Sequence, residues 1–190
     1  MSSETLIENI RNCRLCEDKF PHGVRPVLQF DPSAKILIAG QAPGRKVHES
    51  GIPFDDASGD RLRDWLGVDK ATFYDEKQFA ILPMAFCFPG TGKSGDLAPP
   101  KICAQTWRDE LMAQFESLEL VIILGQYAKA YHAPNAAKSV TDAVKRWREH
   151  WPQQLILPHP SPRNNIWLKR NQWFDDEVVP ALKLRVQEIL

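Results

Sequence analysis

The sequence predicts an α/β fold in which a central, mainly parallel four-stranded sheet is flanked by helices, and three observations predict it. Short unbroken apolar runs at residues 35–40, 79–84, 118–125 and 153–158 read as strands buried on both faces. The segments between them repeat apolar residues at helical spacing. Strands separated in this way by helices imply parallel pairing, because parallel neighbours need a long crossover.

The elements follow in order. The stretch SETLIENIRNCRLC reads as a helix, with Ser3 able to cap it, Leu6, Ile7 and Ile10 at helical spacing, and Cys13 and Cys16 at its end. Pro21, Gly23 and Pro26 break the chain before the first strand, KILIAG. A long loop, GQAPGRKVHESGIPFDDASG, leads to a helix at 61–68 that places Leu62, Trp65 and Leu66 on one face. The second strand at 79–84 is followed by a helix at 99–115. It begins with two prolines, which suit a first turn, and turns Cys103, Trp107, Leu111 and Phe115 inward. LELVIILG is the third strand, residues 126–131 and 139–151 are helical, QQLILP is the fourth strand, and residues 175–190 form the closing helix. No internal repeat or low-complexity segment interrupts this order.

With 190 residues and 43% hydrophobic content, the chain suits one globular domain over 1–190. Lys plus Arg equals Asp plus Glu at 24 each, so no global field draws the chain to nucleic acid or membrane, and a polyanionic partner needs a local basic patch. The start MSSETLIENIRNC lacks the basic and apolar regions of a signal peptide, and no run approaches the roughly 20 apolar residues of a membrane span. A cytoplasmic monomer without membrane contact is the expectation. In a reducing compartment the four cysteines serve metal ligation, catalysis or plain burial rather than disulfides.

Ligands of such sheets bind beyond the carboxyl ends of the strands. That rule selects three segments: the loop at 40–59, the loop at 86–100, and HPSPRN at 159–164. Any one of them alone reads equally well as turn chemistry. Together, GQAPG after the first strand and HPSPRN after the last resemble the paired motifs of the uracil-DNA glycosylase superfamily, and the resemblance runs from Cys13 to about Trp173.

The cysteine layout sharpens the resemblance. Cys13-x2-Cys16, then Cys87 and Cys103, is similar to family 4 uracil-DNA glycosylases, whose four thiolates hold a 4Fe-4S cluster. An all-thiolate set of four suits a cubane. Zinc is the rival, although structural zinc sites usually use two local pairs and Cys87/Cys103 is not one; plain burial is the third reading. The implied cluster is structural.

The resemblance also implies a site. Phe54, in GIPF, matches the residue that stacks on uracil, and His159 matches the histidine that donates to uracil O2. By residue type alone, a core phenylalanine and a structural histidine are the competing readings. Gly40, Gln41, Ala42 and Asp55 fall beside the substrate in the matched segments. The first motif departs from the family. Ala42 stands where many glycosylases have Asp or Asn, Gln41 where family 4 has Glu, and Pro83 where family 4 has an asparagine. PFDDASG resembles the family 5 loop in which the aspartate of D-A-S-G is proposed to be catalytic, which makes Asp56 the matched acid, Asp55 its nearest substitute, and His48 and Glu49 reserves. Against this, an aspartate before a helix often only caps it.

Ser161, Pro162, Arg163 and Asn164 form a stiff loop that can enter DNA after a base is flipped, and the same six letters HPSPRN occur in the single-strand-selective monofunctional glycosylases. Lys169, Arg170, Arg45, Lys46 and Lys93 supply a basic rim for phosphates, unless they are scattered surface charges. The expected activity is therefore monofunctional hydrolysis of the N-glycosidic bond to uracil or another deaminated base in DNA, as in base excision repair. No lysine falls inside the matched motifs for Schiff-base chemistry. A noncatalytic reader of damaged DNA with the same fold is the alternative.

Overall fold

The computed structural model describes residues 2–190. Four strands, β1 (Ile36–Ala39), β2 (Phe79–Ile81), β5 (Leu120–Leu124) and β6 (Gln154–Leu157), pair in the order β2-β1-β5-β6, all parallel. Nearly every residue in these strands is buried, which is why they read as continuous apolar runs rather than alternating ones. Main-chain pairing continues past the end of β2, where Leu82 N donates to Ile38 O, Met84 N to Gly40 O and Ala85 N to Gln41 O. A further two-stranded antiparallel hairpin, β3 (Thr91–Gly92) and β4 (Gly95–Asp96), interrupts the long loop before α5 (Lys101–Met112). It is too short and too polar to announce itself in the sequence.

The helices pack on this sheet around one hydrophobic core. α1 (Ser3–Arg11) is capped by Ser2, whose Oγ accepts from Thr5 N, rather than by Ser3. It ends at Arg11, so Cys13 and Cys16 lie beyond the helix rather than in its last turn. α2 (Arg45–Ser50) arises within the first long loop. α3 (Ala57–Leu66) starts earlier than the apolar spacing suggests because Asp56 caps it, its carboxylate accepting from Gly59 N. Its predicted face of Leu62, Trp65 and Leu66 is buried, with Trp65 edge-on to Phe174. α4 (Lys70–Phe73) leads into β2, and α6 (Gly125–His132) follows β5 directly.

Two helices expected to be single are divided. Residues 139–151 form α7 (Val140–Lys145), capped by Ser139, and a short 3-10 turn at Trp147–Glu149. The closing segment has a wide π turn at Phe174–Val178 before α9 (Val179–Ile189), because Pro180 has no N–H to offer the carbonyl four residues back. After β6, Pro162–Asn164 forms a 3-10 turn that leads into α8 (Asn165–Arg170), an element the sequence does not announce. Among the described residues no helix is long and apolar enough to cross a membrane.

Candidate functional site

At the carboxyl ends of the strands lies a cavity of about 560 Å³, within the size range of small-molecule sites. It is lined from all three segments selected above: Gly40, Gln41 and Ala42 after β1, Phe54 and Asp56 before α3, Ser94–Asp96 on the hairpin, and His159, Ser161, Arg163 and Asn164 after β6. Pro162 is exposed and outside the lining, and so is Asp55. His48 is also outside: it packs against the stacked pair of His22 and Phe88 and sets its Nε2 against His22 O. Glu49 is exposed on α2, where Arg25 takes its main-chain carbonyl.

Phe54 is held in a conformation that only surrounding contacts sustain. It is the sole non-glycine with positive φ, at 55°, among the described residues, a region side chains normally avoid. The buried Arg63 donates to Phe54 O, and Tyr74 Oη donates to Pro53 O. A Cβ on Gly59 would lie 1.7 Å from Phe54 O, so the glycine of D-A-S-G is what allows the loop to close on α3. The ring of Phe54 stands edge-on to Phe73 on one side and reaches toward Gly40 on the other. It is a half-buried ring that packs against the edge of the core and also lines the cavity.

His159 follows β6 after Pro158, and its ring is oriented by the loop. Ser161 N donates to Nδ1 at 3.2 Å, so Nδ1 is the acceptor and the neutral ring carries its proton on Nε2. Burial pushes the imidazole below its ordinary pKa, while Asp56 and Asp96 partly offset this, so the ring is neutral at physiological pH. Asn164 Nδ2 donates to His159 O at 2.7 Å, and Arg61 donates to Pro160 O and Ser161 O. The loop therefore arrives in one shape.

The hairpin forms a further wall. Gln41 Nε2 donates to Leu97 O at 3.2 Å, and Arg163 donates to Ser94 O at 3.0 Å. Gly95, at φ 133°, leaves the space in which the Arg163 guanidinium lies. The first bond needs the amide of Gln41, since an amide N–H can donate to a carbonyl and a carboxylate cannot. Pro83 lines the floor. Beneath it the fully buried Arg108 of α5 donates to Leu82 O at 2.9 Å and to Pro83 O, and burial lowers its pKa to about 10.

Several lining residues escape the sequence reading. Tyr127, 43% exposed, enters from the start of α6, and the strand-end rule applied to LVIILG would have found it. Asp96 and Ser94 come from the hairpin and carried no signal. Arg45 and Lys46 line the cavity, while Lys93, Lys169 and Arg170 are exposed on the hairpin and at the end of α8, outside the lining.

The four cysteines are all free and line a single small pocket with Ile10, Phe20, Phe86 and Trp107. Burial pushes the Cys87 thiol up to about 12 and that of Cys103 to about 11, and raises that of Cys16. Main-chain N–H groups point at two of the sulfurs, Phe86 N to Cys103 Sγ at 3.4 Å and Arg25 N to Cys87.

A solution NMR structure from Methanosarcina acetivorans, of a protein provisionally named a uracil DNA glycosylase, is similar to this chain at 16% identity with a TM-score of 0.45, covering 82% of this chain and 93% of that one. The model of the uracil DNA glycosylase superfamily matches residues 28–183, a span that holds both motif loops, the hairpin and the whole sheet, and the chain belongs to that superfamily.

Proposed function

We propose that the chain is a monofunctional DNA glycosylase that hydrolyses the N-glycosidic bond of uracil, or of another deaminated base, in DNA, and that it acts as a monomer in the cytoplasm. The observation that carries this reading is the neutral His159, tautomerically fixed by Ser161, in one cavity with Phe54 and Asp56. Breaking the bond leaves positive charge on the sugar and negative charge on the base, and the lining supplies a partner for each. A flipped base stacks on Phe54. His159 Nε2–H meets the oxygen on which charge builds. Asp56, fixed by its bond to Gly59 N, faces the cationic sugar with its remaining oxygen. Gly40, Gln41 and Ala42 close around the base, with no side chain at Gly40 or Ala42 able to crowd it. Ser161, Pro162, Arg163 and Asn164 meet the strand, and Arg45, Lys46, Lys93, Lys169 and Arg170 take phosphates.

The competing reading, a noncatalytic reader of damaged DNA, is favoured by the capping bond that occupies Asp56. An assay with a single-uracil oligonucleotide separates the two. The expected result is strand breakage that appears only after alkali. No breakage favours the reader, and breakage without alkali would contradict the monofunctional reading. In the same assay Phe54→Ala weakens substrate binding by about 1–3 kcal/mol, the worth of one stacked base. Unchanged affinity and rate would return Phe54 to a purely structural role.

The cysteine pocket fits a 4Fe-4S cluster held by Cys13, Cys16, Cys87 and Cys103. Four free thiols line one pocket, main-chain N–H groups point at two of the sulfurs, and a metal would supply the positive charge that thiolates at the half-buried Cys87 and Cys103 need. A cubane gives each thiolate its own iron, and the chain offers four cysteines at one pocket for it. The group, when bound, supplies a structural cross-link between the segment after α1 and the segments at either end of the hairpin loop. Anaerobically purified protein is expected to be brown with about four irons per chain, and Cys87→Ser to lose iron and solubility together. Zinc without iron from iron-replete cells would contradict this assignment.

A further inference from the structure

Hydrolysis needs more than a partner for the sugar cation, because a water must also be aimed at C1′ and relieved of a proton. Ala42 has no group for this. Among the described residues two carboxylates line the cavity, Asp56 and Asp96. Asp56 Oδ1 already accepts from Gly59 N at the start of α3. Asp96 is differently placed. Its Oδ1 has only a long contact of 3.5 Å from Thr91 Oγ1, and its Oδ2 takes no hydrogen bond. That free oxygen lies against the end of the first motif, where a Cβ on Gly44 would sit 3.5 Å from it.

The hairpin that carries Asp96 is anchored at three points. Gln41 holds Leu97, the next residue, Leu97 N donates to Gly90 O at 2.9 Å, and Arg163 holds Ser94. Both motif loops thus converge on the two-residue strand that presents this carboxylate to the cavity. Asp96 and His159 line the same cavity.

We infer that Asp96 is the catalytic carboxylate that orients and deprotonates the attacking water, which leaves Asp56 to stabilise the sugar. This assignment rests on the glycosylase reading above. In the step, the water oxygen forms a bond to C1′ while the C1′–N bond breaks, and its electron pair stays with the base, whose charge His159 Nε2–H stabilises. The water proton passes to Asp96 and then, through solvent, to the departing base anion. The products are free base and an abasic sugar, and Asp96 is again ionised.

The test compares parental protein, Asp96→Asn and Asp96→Ala in single-turnover cleavage of a single-uracil oligonucleotide, with binding measured on an oligonucleotide carrying a non-cleavable uracil analogue. The expected result is a loss of roughly a hundred- to a thousandfold in rate for both variants with binding unchanged. Either variant cleaving at the parental rate would overturn the inference while leaving the glycosylase reading intact, and so would a rate loss matched by an equal loss of binding. A parental protein that cleaves no deaminated base would remove both.

Discussion

His159→Ala lowers single-turnover base release by roughly a hundred- to a thousandfold while leaving affinity for damaged DNA largely unchanged, the scale on which removal of one preorganised donor acts. The donor is preorganised because Ser161 N occupies Nδ1 and Asn164 anchors the His159 carbonyl, so the ring needs no rearrangement as charge develops. The same burial has a stability consequence. It holds the folded-state pKa of His159 below the unfolded value of about 6.5, so the unfolded chain binds the extra proton as pH falls. The contribution of this group to stability is thus fully present above about pH 6.5 and is lost as pH drops through that value. His132 acts in the same sense, its pKa pushed down to about 3 by burial and by Arg108. Thermal melts at pH 7.5 and 5.5 should therefore show a larger loss of Tm for the parental protein than for His159→Ala. Equal losses would indicate that His159 is not buried as a neutral ring.

Asp56→Asn is the second large effect, again about a hundred- to a thousandfold in rate. Asparagine keeps a side-chain oxygen for Gly59 N and so remains a competent helix cap, since Asn and Asp cap about equally well. Stability should then change little, and the rate loss reports the missing charge at the sugar. Melting temperature and single-turnover rate measured on the same sample separate the two roles. A variant that keeps its rate would make Asp56 a cap and nothing more, whereas one that loses both would show that the cap itself is what the site requires.

The sheet was legible because β1, β2, β5 and β6 are buried on both faces and so appear as unbroken apolar runs. The strand-end rule then located the cavity, and the resemblance supplied names for Phe54 and His159. What the sequence could not show was decided by tertiary contacts. The hairpin that carries Asp96 has two residues per strand and is held by Gln41 and Arg163 from distant loops, so no local period marks it. Phe54 has positive φ because Arg63, Tyr74 and Gly59 impose it, which its own residue type would argue against. The start of α3 was misplaced for a related reason: apolar spacing begins at Leu62, while the cap that fixes the helix is Asp56. Asp56 caps α3 through one oxygen and also lines the cavity.

The most direct test of the glycosylase reading is the mass of a single-uracil oligonucleotide after incubation with the purified protein and without alkali. The account predicts an intact strand that has lost the mass of uracil and gained that of water, with free uracil recovered in equal amount. A strand of unchanged mass, bound but uncut across uracil, hypoxanthine and xanthine substrates, would contradict it.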